Sequence, residues 1–167
     1  MKSLTAVQQQ RRERILLSTR DQLSQFGYEG LNMRELSLIA DVSTSTLYNL
    51  YQSKDTLILA ALEDLLADIN AVVVESGTSG LSRFLARVDA VAEQIVETPK
   101  YAEAMGKMLF SADAHDAIVQ MMIGTSLSFN GEELAEMADC GELRAETDRK
   151  FLARSLSSTG WSTVLMW

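Results

Sequence analysis

Between Ser53 and Gly77 the chain runs for more than twenty residues without Gly or Pro, and Leu57, Ile58, Ala61, Leu62, Leu65, Leu66 and Ile69 recur within it at intervals of three and four. This spacing predicts an unbroken amphipathic helix of about 33 Å, at about 1.5 Å per residue, which no small β-architecture can accommodate. A second breaker-free stretch, from Thr5 to Phe26, places Ile15, Leu16, Thr19, Leu23 and Phe26 on one face, with Gly27 where a left-handed C-terminal cap belongs. The whole chain of 167 residues has one Pro, nine Gly and 7% aromatic residues. It is therefore poor in turn-formers and in strand-formers, and we expect an all-α fold. At 47% hydrophobic it has enough apolar material for a real core.

Two short helices lie between the long ones. Asn32 precedes Met33-Arg34-Glu35 as an N-cap, and Leu36, Ile39 and Ala40 supply an apolar face. Asp41-Val42-Ser43 breaks this helix. Ser43 or Thr44 caps the next, in which Leu47 and Leu50 are expected to face inward, and Ser53 caps the long helix. Further helices are expected at Leu81 to Thr98, ended by Pro99, at about Tyr101–Phe110, Ala114–Ala138 and Thr147–Trp167.

Two short helices on a tight turn, flanked by longer ones, form the helix-turn-helix pattern, whose second helix enters the DNA major groove. Ser43-Thr44-Ser45-Thr46-Leu47-Tyr48-Asn49 suits that use, because hydroxyls and Asn meet base edges or phosphates and a Tyr hydroxyl reaches a phosphate from a rigid ring. The net charge of −8 argues against DNA binding only until it is divided. Residues 1–60 carry seven basic and six acidic side chains, and the remainder carries −9. Arg11, Arg12 and Arg14 read first as a solvated helix face, with phosphate contact as the lesser alternative.

Phe26-Gly27-Tyr28-Glu29-Gly30-Leu31, Met33-Arg34-Glu35-Leu36, Ala40-Asp41-Val42-Ser43, Thr46-Leu47-Tyr48 and Tyr51-Gln52-Ser53-Lys54-Asp55-Thr56-Leu57 follow one another in the order and spacing of a known signature. Over residues 12 to 62 the chain resembles the TetR/AcrR family of transcriptional regulators. It departs from the pattern at Asp41, where the family usually has Gly, and at Leu50, where it often has an aromatic residue or His. The resemblance implies a DNA-facing set of Arg34, Ser43, Thr44, Ser45, Thr46, Tyr48 and Asn49, with Lys54 on the phosphate backbone. It also implies residues 1–55 as the DNA-binding domain and 56–167 as an effector-binding and dimerisation domain, with a palindromic double-stranded operator and a homodimer. The implied mechanism is that an effector in the helical core shifts the long fourth helix and alters the separation of two heads, set by major-groove faces about 34 Å apart.

In the second half, Met105, Met108, Phe110, Met121, Met122 and Phe129 are candidates for an adaptable apolar effector pocket, against the default of core filler. Cys140 and His115 are each the single residue of their type, which argues against a zinc site and fits a reducing cytoplasm. His115 reads as exposed or structural, and Cys140 as an inert thiol. No signal peptide, membrane span or cofactor motif is expected, and neither a Gly-x-Ser-x-Gly elbow nor a phosphate-binding Gly-Lys loop points to catalysis. An all-α binding protein that does not bind DNA is the rival reading. The uncharged end Leu165-Met166-Trp167 leads us to expect a further C-terminal helix beyond it, with Phe151, Leu152, Ser155, Thr159 and Ser162 near the dimer face and Trp161, Leu165 and Trp167 partly uncovered.

Overall fold

The computed structural model describes residues 5–110 and 117–166, without the side chains of 108–110, 117–119, 121–122 and 164–166. The described chain forms α1 (Ala6–Gly30), α2 (Met33–Ile39), α3 (Thr44–Tyr51), α4 (Lys54–Glu75), α5 (Gly80–Glu97), α6 (Pro99–Phe110), α7 (Ala117–Asp139) and α8 (Arg149–Met166). No strand occurs among the described residues. None of these helices is long and apolar enough to cross a membrane.

Helix α1 starts on a capping box, in which the Thr5 hydroxyl accepts from Gln8 N and the Gln8 side chain accepts from Thr5 N. Its helical geometry breaks at Gly27, where φ is 68° and ψ −171°, a combination that only glycine adopts without cost. The chain resumes helix as far as Gly30, and Phe26, expected inside, lies 55% exposed. Pro99 does not merely end α5. It opens α6, where its missing N–H costs nothing because the first helical N–H has no partner anyway. Helix α7 runs through Gly124 and Gly131 without a break.

The main core is built by Ile15, Leu16 and Leu23 of α1, Leu36 and Ala40, Leu47 and Tyr51, and Leu57, Ile58 and Ala61 of α4. It continues through Tyr101, Ala104 and Met105 of α6, which packs along α1. A second cluster joins Leu134 and Met137 of α7 to Ala153 of α8, with Phe84, Leu143, Leu152 and Leu156 packed against it. In the loop before α8, Glu142 accepts from Leu81 N at 2.6 Å and so caps α5, an assignment the sequence did not reveal because 61 residues separate the partners. On α8, Phe151, Thr159 and Ser162 are exposed while Leu152, Ser155 and Trp161 are half-buried; Leu165 and Trp167 lie outside the described side chains.

Candidate nucleic-acid interface

Helices α2 and α3 are each fixed at their first turn by a side chain. The Asn32 carboxamide oxygen accepts from Arg34 N at 2.8 Å and from Glu35 N at 3.4 Å. Ser43 Oγ accepts from Thr46 N at 3.1 Å and also lies 2.8 Å from the hydroxyls of Ser45 and Thr46. Of the two residues able to cap α3, Ser43 does so. Thr44 has another task, since its hydroxyl meets Ser37 Oγ at 3.0 Å and ties α3 back to α2.

Between the two helices Asp41 takes φ 52°, so the residue standing in place of the usual glycine adopts the left-handed conformation directly. The turn is closed from outside. Arg14 Nε donates to Ala40 O at 2.7 Å and Arg14 Nη2 to Asp41 O at 3.3 Å, placing a cation on the carbonyl end of α2. The neighbouring Arg12 pairs with Asp64 at 3.1 Å, and Arg20 reaches Asp64 at 2.5 Å and Asp68 at 2.8 Å. Two of the three arginines in the basic run thus serve the fold, while Arg11 is exposed.

With Leu47 and Tyr51 buried beneath it, α3 turns outward a face made of Ser45, Tyr48, Asn49 and Leu50. Tyr48 is 47% exposed and Leu50 53%, so the expectation that Leu50 anchors the helix is corrected: the inward positions are taken by Leu47 and, one turn on, Tyr51. Ile39 is likewise exposed rather than part of the α2 core face. Arg34 lies exposed at the start of α2; Ser43 is exposed, and Thr44 and Thr46 are half-buried.

Lys54, at the start of α4 behind the Ser53 cap, holds its ammonium 4.4 Å from the centre of the Tyr28 ring. Burial pulls its pKa down, opposed by the charges of Glu29 and Asp55. The Tyr28 hydroxyl donates to Asp55 at 2.7 Å, and this hydrogen bond, with some burial, pushes its pKa up to about 12. The assembled surface offers hydroxyls, a carboxamide, a phenol and a guanidinium on short, capped helices, the side-chain types that hydrogen-bond base edges and phosphates.

The effector candidates separate. Met105 is buried in the main core beside Tyr101 and Ala104. Phe129 borders a recess of about 530 Å³ on α7, together with Gly124, Thr125, Ser128 and Glu132. The side chains of Met108, Phe110, Met121 and Met122, and the whole of His115, lie outside the described residues. Cys140 is exposed and free.

This arrangement is an all-helical fold that carries a helix-turn-helix in its first third. Residues 15–61 match the family model described as bacterial regulatory proteins, tetR family. The chain is 29% identical over 171 aligned residues to the HTH-type transcriptional repressor KstR of Mycobacterium tuberculosis, covering 96% of this chain and 72% of that protein. To the KstR of Mycolicibacterium smegmatis it is 29% identical over 163 residues, covering 96% and 78%. Among solved structures, the fold matches Thermus thermophilus FadR, a TetR-family repressor in complex with lauroyl-CoA, with a TM-score of 0.73 at 20% identity over 93% of this chain and 82% of that one. The regulatory protein TetR from Rhodobacter sphaeroides matches with a TM-score of 0.61 at 17% identity over 92% and 86%. Over residues 15–61 the chain is similar to the tetR family of bacterial regulatory proteins, and its fold as a whole is similar to those of the solved TetR-family structures.

Proposed function

We propose that the protein is a repressor that holds a palindromic double-stranded operator as a homodimer and is released by a small apolar effector. Residues 1–55 form the DNA-binding head in this reading. Residues 56–167 form the effector-binding and dimerisation part, and the two share a core through α4 and α6. The observation that carries the reading is the outward face of α3. Tyr48 and Asn49 stand exposed on a helix whose opposite side is locked by Leu47 and Tyr51 and whose first turn is capped. Fixed orientation of that kind is what base and phosphate contacts require.

Within this reading Thr44, Ser45 and Asn49 meet base edges, Tyr48 meets phosphate, and Arg34, with Lys54, adds positive charge at the flanks. Ser43 and Thr46 set the start of the recognition helix and sit nearest the backbone. The repressor names of the KstR relatives support the direction of control, and the lauroyl-CoA complex of FadR supports an effector with an apolar body. Of the effector candidates, Phe129 of α7 is proposed to face that effector from the recess it borders, while Met105 belongs to the main core. A selected-operator titration by fluorescence anisotropy tests the proposal. The expected result is specific binding that weakens steeply with salt and is lost when an apolar ligand stabilises the protein. Absence of specific DNA binding by the intact dimer would overturn it.

A further inference from the structure

The turn between α2 and α3 sets the angle at which α3 leaves the head, and it is held from two sides. On the inner side the two helices hold each other. Val42 N donates to Ser37 O at 2.9 Å, and the hydroxyl of the buried Ser37 lies 3.0 Å from that of Thr44. On the outer side the turn is met from a third helix, where Arg14 of α1 donates through Nε to Ala40 O at 2.7 Å and through Nη2 to Asp41 O at 3.3 Å. The Asp41 carboxylate stands 3.7 Å from the same Nη2, an exposed pairing that adds little by itself.

Arg14 reaches the turn from a fixed base. The next two residues, Ile15 and Leu16, are fully buried in the main core. The same helix is pinned to α4 by Arg12 on Asp64 and by Arg20 on Asp64 and Asp68. A guanidinium is planar and holds its N–H groups at set angles, so bonds to two successive carbonyls constrain the residue that carries the bend. That residue is Asp41, at φ 52°. An ammonium on a flexible stem brings the same charge without that geometry. Contact with a phosphate requires the charge, whereas holding this turn requires the planar fork.

Resting on the DNA-reading function proposed above, we infer that Arg14 is a positioning residue for sequence recognition, which touches neither base nor phosphate and sets the angle of α3 through the carbonyls of Ala40 and Asp41. Specific binding, which needs the outward face of α3 in register with the base edges, depends on it. Non-specific binding, which rests on charge at the phosphates, does not.

Two substitutions in the full chain test this: Arg14→Lys keeps the charge and loses the fork, and Arg14→Met loses both. Anisotropy titrations over a series of salt concentrations compare an operator, selected from random duplexes with the wild-type chain, with a scrambled duplex of the same length. Both variants should bind the operator about ten-fold more weakly and the scrambled duplex as the wild type does, with an unchanged slope of log affinity against log salt. An Arg14 that contacts phosphate would leave Arg14→Lys near the wild type. It would also give Arg14→Met weaker binding to both duplexes and a salt slope smaller by about one, and that result overturns the inference. A loss equal on both duplexes, as a merely destabilised head gives, overturns it as well. If Arg14→Met does not fold, Arg14→Lys decides alone. A wild-type chain that prefers no duplex overturns the repressor reading and this inference with it, whereas a preference that survives both substitutions overturns this inference and leaves the repressor reading standing.

Discussion

Around Ile58 and around Leu134 the molecule has two different interiors. The first gathers Ile15, Leu16, Leu23, Leu36, Leu47 and Leu57, all fully buried, with capping side chains at the starts of α1 to α4. The second is a small cluster beside the buried Arg87 and Glu133, with Leu81, Leu85 and Val88 of α5 largely exposed. Replacing a buried ion pair by apolar residues of like volume is often neutral or stabilising, so the charges in the second interior contribute little to net stability. In the proposed reading, α3 must keep its side chains in place to read DNA while the second half must give way to admit a ligand, and the difference in packing suits that division.

The comparison breaks most directly in the cores. Leu36→Ala or Leu47→Ala should destabilise the chain by about 2–5 kcal/mol, toward the upper end because the surrounding aliphatic side chains are themselves pinned. Leu134→Ala should fall toward the lower end of that about 2–5 kcal/mol range, since its looser neighbours can close on the space. Urea unfolding of the three variants measures both, and equal costs would erase the contrast. Next in size, Tyr48→Ala should weaken operator binding by about 1–3 kcal/mol in anisotropy titrations while changing stability by no more than about 0.5 kcal/mol, because the ring touches no core. Ser43→Ala, which strips the cap of α3, should cost about 1 kcal/mol in thermal unfolding and weaken DNA binding in step.

The pH response sharpens the same contrast at the head. Tyr28 titrates near 12 when folded, above its unfolded value of 10.0, so its hydrogen bond to Asp55 stabilises fully below pH 10 and is lost as pH rises toward 12. Tyr28→Phe should therefore remove that part of the stability loss between pH 10 and 12, seen as a flatter melting-temperature profile. The smallest expected effect is a gain. Asp41→Gly relieves a left-handed non-glycine residue at the cost of one exposed ion pair to Arg14 at 3.7 Å, and should raise stability by up to about 1 kcal/mol.

Much of the head was legible from residue spacing because each signal there is local. Asn32, Ser43 and Ser53 announce their helices within three residues, and the breaker-free run from Lys54 to Glu75 forms one helix over that length. Phe26, Ile39 and Leu50 were misplaced for a common reason. Periodicity defines the apolar side of an isolated helix, but which flanking position the neighbours cover depends on a crossing geometry that a single helix does not encode. Arg14 on the turn and Glu142 on α5 were missed because their partners lie 26 and 61 residues away. In the buried pair, nothing in the sequence of α5 marks Arg87 as interior, since its guanidinium is sheltered by Phe129 from another helix.

The sharing of the main core with α6 bears on how the chain is made. Tyr101, Ala104 and Met105 complete the apolar interior that α1 begins, so the nascent head remains open on one side after Ala61 has emerged from the ribosome. At about 5–20 residues per second, the interval before Met105 is added lasts about two to nine seconds. Through that interval the flank of Ile15, Leu16 and Leu23 awaits its cover, which makes the middle of the message, rather than the end of the head, the point at which the reading surface becomes durable.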